Sequence, residues 1–353
     1  MDALRKKLVQ TLDIEHKCIY GSACKPGHNS WISLWKSMDD RLFISFQEME
    51  GDRTRSPSYD FMDSAKRSSY DIRQRFFSSC DQGESWTFES DKELFLPNLM
   101  FTAIKNPLPS GKILSAYASR NLKEFHEVKG AIIITSSMDG GRTWSFETSI
   151  KHPDYKSLNP TSIIYDKTAG VILSAYTDSG DCLCFISGDE GKSWDKNFTI
   201  AKASGNLSFW EPTVTTISDG TFMCIMRTHR EDIPKHNGIN YHKVIFTLGS
   251  EGFNPSLPED TGIGFRGKPD IIKTSSGILI LAAPGHLFVF SCDEGNTWEL
   301  HLDMLKGLSH NADPTLIEME PDRILCGYFF GSDYPFPPPA DEYIGCTRFE
   351  IGV

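Results

Sequence analysis

Short apolar runs, split by a Gly- or Asp-containing turn, recur along this chain in pairs. The pairs are Trp31-Ile32-Ser33-Leu34 with Leu42-Phe43-Ile44-Ser45-Phe46, and the stretch from Asn98 with Ile113-Leu114-Ser115-Ala116-Tyr117. Next come Asn159-Pro160-Thr161-Ser162-Ile163-Ile164 with Val171-Ile172-Leu173-Ser174-Ala175-Tyr176, and Glu211-Pro212-Thr213-Val214 with Phe222-Met223-Cys224-Ile225-Met226-Arg227. The last are Lys268-Pro269-Asp270-Ile271-Ile272 with Ile278-Leu279-Ile280-Leu281, and Asp313-Pro314-Thr315-Leu316-Ile317 with Ile324-Leu325-Cys326-Gly327. Runs this short, rich in β-branched residues and bounded by turn residues, predict strands rather than helices. Six hairpins predict six repeated units. A further strand is expected over Tyr343 to Ile351, closing the array against the N-terminal Cys18-Ile19-Tyr20 segment.

Between the hairpins a second pattern repeats. Ser79-Cys80-Asp81-Gln82-Gly83-Glu84-Ser85-Trp86, Ser137–Trp144, Ser187–Trp194 and Ser291–Trp298 all read S-x-D-x-G-x-[ST]-W. The Asp can accept hydrogen bonds from nearby backbone N–H groups, Gly supplies a positive φ, and the Trp packs beneath. Each copy is therefore read as a lock on a tight turn. Gly249-Ser250-Glu251-Gly252 is a degenerate fifth copy without the Asp and the Trp. The motif resembles the Asp-box of the sialidase-like superfamily, and spacings of roughly 45–60 residues suit one blade per repeat. The resemblance implies an all-β fold, a six-bladed β-propeller of four-stranded antiparallel blades. It also puts the box turns between the third and fourth strands, at the rim away from the active site.

The repeats run from end to end without a linker, so residues 1–353 are read as a single propeller domain. An aromatic fraction of 12% suits a packed core, and no apolar run is long enough to span a membrane. The formal charge of −11 argues against nucleic-acid or anionic-membrane partners. The N-terminus lacks an apolar secretory stretch, and several of the nine cysteines fall in apolar strands as reduced core residues do. Together these predict a cytoplasmic protein. Without metal-ligand spacing or a glycine-rich phosphate loop, no cofactor is expected.

Propellers build their sites at the mouth of the central channel. The start of each inner strand faces it, which brings forward Trp31, Asn159, Glu211, Lys268 and Asp313, with Asn98 or Thr102 from the second unit. The segment Glu211-Pro212-Thr213-Val214…Asp219-Gly220…Met226-Arg227 resembles the superfamily's E-P…D-G…R element. The resemblance implies that Glu211 is the activating glutamate and Arg227 one of three arginines that clamp a substrate carboxylate. Elsewhere the chain departs from that pattern. Ser30 stands at the first arginine, His286 is the only polar side chain near the third, and Asp313 falls at the tyrosine nucleophile. Phe46-Gln47-Glu48-Met49-Glu50-Gly51-Asp52-Arg53 resembles the family's A-F-x-E-x-R stretch, adding Glu48 and Arg53 to the substrate contacts. The family's acid/base aspartate lies in the loop that follows. Asp52, Asp60 and Asp63 all qualify; Asp60, flanked by Tyr59 and Phe61, is the first choice, since aromatic neighbours desolvate a carboxyl and raise its pKa.

Glycoside hydrolysis needs two carboxyls, one protonated for the leaving group and one ionised. Glu211 and Asp313 meet that need. The expected function is an exo-acting glycosidase that takes a terminal sugar of an oligosaccharide or glycoconjugate, sialic acid or another. Two alternatives stay open. One is a propeller lyase on uronic-acid glycans, with His229, His286 or His310 as base. The other is a non-catalytic glycan-binding propeller.

Overall fold

The computed structural model describes residues 10–21, 28–50, 71–92, 101–119, 130–233, 240–249, 252–264, 267–284, 287–301, 311–330 and 343–352. Every regular element among them is a strand. The strands form six antiparallel sheets, ordered from the channel outwards. Blade 1 comprises β2 (His28–Lys36), β3 (Leu42–Glu50), β4 (Asp71–Ser79) and β5 (Thr87–Lys92). Blade 2 comprises β6 (Thr102–Ala103), β7 (Ile113–Ala118), β8 (Ile132–Ser137) and β9 (Ser145–Ile150). Blade 3 comprises β10 (Leu158–Asp166), β11 (Gly170–Thr177), β12 (Cys182–Ser187) and β13 (Lys196–Ala201).

Blade 4 is built on β14 (Leu207–Ser218), β15 (Thr221–Arg230) and β16 (Asn240–Gly249). Its outer edge is shared by two short strands, β17 (Gly252–Pro255) and β18 (Glu259–Gly264), which pair with opposite halves of β16. The four-strand order β14-β15-β16-β17 is kept, and β18 adds a second short strand on the same edge of β16. Blade 5 comprises β19 (Asp270–Lys273), β20 (Leu279–Ala283), β21 (Leu287–Ser291) and β22 (Glu299–His301). Blade 6 contains β23 (Asn311–Glu320), β24 (Arg323–Phe330) and β25 (Tyr343–Gly352). Its outer strand is β1 (Gln10–Gly21), which pairs with β25 from Gln10↔Gly352 to Gly21↔Tyr343. The expected closure is thus formed. Each inner strand touches the next, and β23 touches β2, so the ring is complete.

The core lies between blades. Trp35 of β2 stacks on Phe43 at 5.6 Å and meets Trp144 of blade 2 edge-on at 5.9 Å. Buried aromatic side chains of this kind each contribute on the order of 2–3 kcal/mol by area. Cys182, Cys184, Cys224, Cys326 and Cys346 are buried free thiols, and burial pushes Cys184 and Cys346 up to about 12.

The four S-x-D-x-G-x-[ST]-W turns join third to fourth strands in blades 1, 2, 3 and 5, at the end opposite the inner-strand starts. In each, the first Ser hydroxyl donates to the Asp and accepts the Gly N–H. In blade 2 these contacts are Ser137 Oγ to Asp139 Oδ1 at 2.7 Å and Gly141 N to Ser137 Oγ at 2.7 Å. The Thr143 N–H and hydroxyl then donate to the two Asp139 oxygens at 2.8 and 2.6 Å. Blade 6 needs no such turn, because its fourth strand arrives from the other end of the chain.

Side chains bridge all six blade interfaces around the channel. Ala103 N–H donates to Ser33 Oγ at 2.8 Å, Thr102 Oγ1 to Thr161 O at 3.4 Å, and Thr161 Oγ1 to Pro212 O at 2.5 Å. Thr213 Oγ1 donates to Asp270 Oδ1 at 3.1 Å, Leu316 N–H to Asp270 Oδ2 at 2.7 Å, and Trp31 N–H to Asp313 Oδ2 at 3.3 Å. Inner strands shared between blades expose little ladder to one another, so these hydroxyls and carboxylates supply the fixed cross-links.

Candidate functional site

Four inner strands break register near their starts: β10 between Pro160 and Ser162, and three others at equivalent positions of the repeat. Ladder shifts fall between Ser30 and Ser33, Trp210 and Thr213, and Ala312 and Thr315. At these bulges Trp31, Glu211 and Asp313 adopt left-handed φ values of +48°, +52° and +49°. Such angles are uncommon outside Gly, Asn and Asp, and cost on the order of 1–3 kcal/mol each. Pro212 and Pro314 follow two of them, where a missing N–H harms no ladder. A bulge turns a side chain that would lie along the blade into the channel. The three strained residues therefore come from blades 1, 4 and 6 and face one another.

The chemistry converges there. Arg227 Nε lies 3.3 Å from Glu211 Oε2 across β14 and β15, yet that oxygen, buried from water, accepts no aligned hydrogen bond. Burial raises the pKa of Glu211, Asp313 adds to the rise, and Arg227 and Lys268 oppose it. Asp313 is also raised by burial, against the Lys268 charge and the Trp31 N–H. Two carboxyls with raised pKa values thus share one field with two cations. Trp31, half-buried, packs on the apolar cluster of blades 3 and 4, which includes Tyr176 and Phe209. Its indole therefore crosses the channel from blade 1. Tyr241 at the start of β16 is fully buried, donates to Gly267 O at 3.2 Å, and feels the charges of Glu211 and Arg227. It holds the backbone immediately before Lys268.

Below this level Lys105 of blade 2 crosses to Asp270 of blade 5, Nζ to Oδ2 2.5 Å. Past that pair, at the far end of the channel, is a cavity of about 460 Å³ lined by Lys36, Ile163, Thr216, Lys273 and Glu318 among others. It contains none of the mouth carboxyls, because the inner strands reach it several residues after their starts.

Of the residues expected from sequence, Glu211, Asp313, Arg227, Lys268 and Trp31 are brought together. Two placements are corrected. Glu48 is fully buried, and its carboxylate takes the Tyr20 hydroxyl at 2.9 Å and the Arg75 Nε–H, so it braces the junction of blades 6 and 1 rather than facing a substrate. Asn159 is 1% exposed, with Nδ2 3.3 Å from Tyr176 O, and serves the blade 3 hairpin. Thr102 lies with the bridging hydroxyls rather than at the bulges. His229 sits half-buried near the end of β15. Arg53, Asp60, His286 and His310 lie outside the described residues. No group of metal-ligating side chains occurs among the described residues. Sequence reasoning missed Tyr241, Lys105 and Asp270. For Asp270 a signal existed: Lys268-Pro269-Asp270 departs from the Asn159-Pro160-Thr161, Glu211-Pro212-Thr213 and Asp313-Pro314-Thr315 repeat.

No protein-family model matches this chain, and no curated protein matches it in sequence. Solved structures do match in fold. A protein of unknown function from Dyadobacter fermentans superposes with a TM-score of 0.69 at 17% identity, covering 98% of this chain and 99% of its own. An α-L-arabinanase of Penicillium chrysogenum, solved with arabinobiose, gives 0.69 at 12% identity, covering 97% and 98%. The NanB sialidase of Streptococcus pneumoniae gives 0.63 at 13% identity, covering 93% and 70%. The chain therefore has the six-bladed propeller fold that sialidases and arabinanases share.

Proposed function

We propose that this protein is an exo-acting glycoside hydrolase in which Glu211 and Asp313 are the reacting carboxyl pair. The observation that carries this reading is the buried Glu211 Oε2 atom, which accepts no aligned hydrogen bond and stands at a strained bulge within the field of a second, half-buried carboxyl, Asp313. A buried, under-bonded carboxylate is costly, and such groups in folded proteins call for an explanation. Substrate or water supplies one.

In the proposed reaction one member of the pair is protonated and the other ionised, and burial, which raises both, favours keeping a proton on one of them. The protonated member gives its proton to the glycosidic oxygen as the C–O bond breaks. The ionised member either attacks the anomeric carbon or takes a proton from the water that does. Arg227 and Lys268 keep the second carboxyl ionised and are placed to bind acidic or hydroxyl groups of the sugar. The indole of Trp31 offers an apolar face for the ring. The sequence departs from a three-arginine clamp, with Ser30 and His286 at two of the arginine positions, which favours a neutral sugar, such as the arabinobiose bound by the P. chrysogenum arabinanase, over a sialic acid carboxylate.

The test is hydrolysis of a panel of aryl glycosides, including α-sialoside, α-L-arabinofuranoside and uronide, by wild type and Glu211→Gln. Turnover of any member that vanishes in a folded Glu211→Gln supports the proposal. Unchanged turnover in the variant, or none by wild type on any member, rejects it.

A further inference from the structure

One carboxylate ties together the two strands that carry the reacting pair. Asp270 is 3% exposed and accepts three donors from three other blades. Thr213 Oγ1 of blade 4 donates at 3.1 Å, Leu316 N–H of blade 6 at 2.7 Å, and Lys105 Nζ of blade 2 at 2.5 Å. Thr213 lies two residues beyond Glu211, and Leu316 three beyond Asp313. Blade 5 stands between blades 4 and 6, so this contact is the bridge between them at that height.

The interfaces of blades 1–2, 2–3 and 3–4 are bridged by hydroxyls, and that of blades 6–1 by the Asp313 carboxylate, which takes a single strand's N–H there. A hydroxyl has one proton and two lone pairs, and serves one neighbour well. A carboxylate has about four acceptor sites and no proton, so it can receive both neighbouring strands and a cation at once. Its burial as an ion requires a partner, and Lys105 reaches across the channel to provide one. The threonine of the repeat is thus replaced by aspartate where two strands must be gripped rather than one.

We infer that Asp270, held by Lys105, is a positioning residue that sets the separation of Glu211 and Asp313 by fixing β14 to β23. The inference rests on the reading of those two as the reacting carboxyls. Carboxyl separation decides whether such a pair can act and by which stereochemical course, and small displacements of reacting groups cost rate steeply.

Three variants test it: Thr213→Val, which removes one arm at nearly constant shape; Asp270→Asn; and the charge-neutral double variant Lys105→Met/Asp270→Asn, for the case in which Asp270→Asn alone does not fold. Two readouts are taken. One is kcat and KM, with the pH profile of kcat/KM, on whichever aryl glycoside wild type cleaves. The other is a carboxyl carbon NMR titration of Glu211 and Asp313, assigned with Glu211→Gln and Asp313→Asn. Folded Thr213→Val is expected to lose about tenfold in kcat with KM nearly unchanged, and to show displaced titrations of both carboxyls. A merely structural bond would lower the melting temperature and leave the profile and the titrations in place. Wild-type kcat and unmoved titrations in Thr213→Val and in the double variant overturn the inference. Displaced titrations in a protein that cleaves no glycoside uphold the positioning role and reject the hydrolase reading instead.

Discussion

The two ends of this propeller use the same functional group in opposite ways. At the far rim, Asp81, Asp139, Asp189 and Asp293 sit in tight turns and accept hydrogen bonds on both oxygens. Each turn closes its own hairpin and seats against the neighbouring blade, as where Trp35 Nε1–H donates to Gly140 O at 3.0 Å. At the mouth, Glu211 and Asp313 sit half-buried on left-handed backbone with raised pKa values; Glu211 Oε2 accepts no aligned hydrogen bond, and Asp313 Oδ2 takes the Trp31 N–H. The rim carboxylates are saturated and so chemically quiet. At the mouth, Glu211 has an oxygen that accepts no aligned hydrogen bond, and so is available. Satisfaction, rather than identity or charge, separates scaffold from site.

The sharpest break of that contrast replaces a carboxylate by an amide at each end. Glu211→Gln is expected to lower kcat by about 10²–10⁴-fold, the range for removing an acid–base group, while leaving the melting temperature at or above wild type. Asp139→Asn is expected to do the reverse: turnover within about twofold, stability reduced by on the order of 1–2 kcal/mol for the disturbed hydrogen bonds. Kinetics and thermal unfolding of the two proteins decide the matter. Asp139→Asn losing activity while still folded, or Glu211→Gln unfolding, would erase the distinction.

Next in size is a steric strike at the rim. Gly141 has a φ of +107°, and a Cβ placed there would come within 2.7 Å of the Trp35 ring. Gly141→Ala therefore combines backbone strain with overpacking against a fully buried indole, at about 2–5 kcal/mol in all. Gly205, also left-handed with nothing near its Cβ position, is the control, with only the backbone cost, about 1 kcal/mol. Equal destabilisation of Gly141→Ala and Gly205→Ala in denaturant unfolding would mean that the Trp35 contact is unimportant.

The rim was the more legible end in sequence, for a physical reason. A turn lock is local: Ser, Asp, Gly, Ser or Thr, and Trp fall within eight residues, so the motif is visible without a fold. The hairpins were legible for the same reason, and with them the blade count and the β1–β25 closure. The mouth is assembled from residues 31, 211, 227, 268 and 313, and only the Glu211–Arg227 spacing is compact enough to be recognised. Glu48 was assigned to the substrate by the resemblance of its short motif alone, whereas Tyr20 and Arg75, distant in sequence, engage its carboxylate in the core. Blade 4's divided edge was not legible, since β17 and β18 are too short and polar to carry a periodic signal. Tyr241 resembles any strand-start aromatic until its contact with Gly267 is seen.

The smallest effect, and the one that separates the two ends by sign, is the dependence of stability on pH. Raised folded-state values at Glu211 and Asp313 mean that their contribution to stability is fully present below the ordinary carboxyl range. It is lost as pH rises through the folded values. At Asp81 the Ser85 hydroxyl is the largest influence and holds the carboxyl down to about 2. At Asp189 burial alone would raise the value, but the Ser193 N–H and hydroxyl outweigh it, again leaving about 2. Their contribution is present above the unfolded value and is lost as pH falls towards 2. The double variant Glu211→Gln/Asp313→Asn, which mimics the protonated pair, should therefore melt above wild type at pH 7, with the gap closing towards pH 4. Asp189→Asn should melt below wild type at pH 7, with that gap closing only at lower pH. Melting curves of the three proteins across this range give both signs at once. A mouth variant that melts below wild type at neutral pH would show that Arg227 and Lys268 stabilise the ionised pair more than burial disfavours it. The mouth would then be a satisfied ion cluster like the rim, and the contrast on which the hydrolase reading depends would be gone.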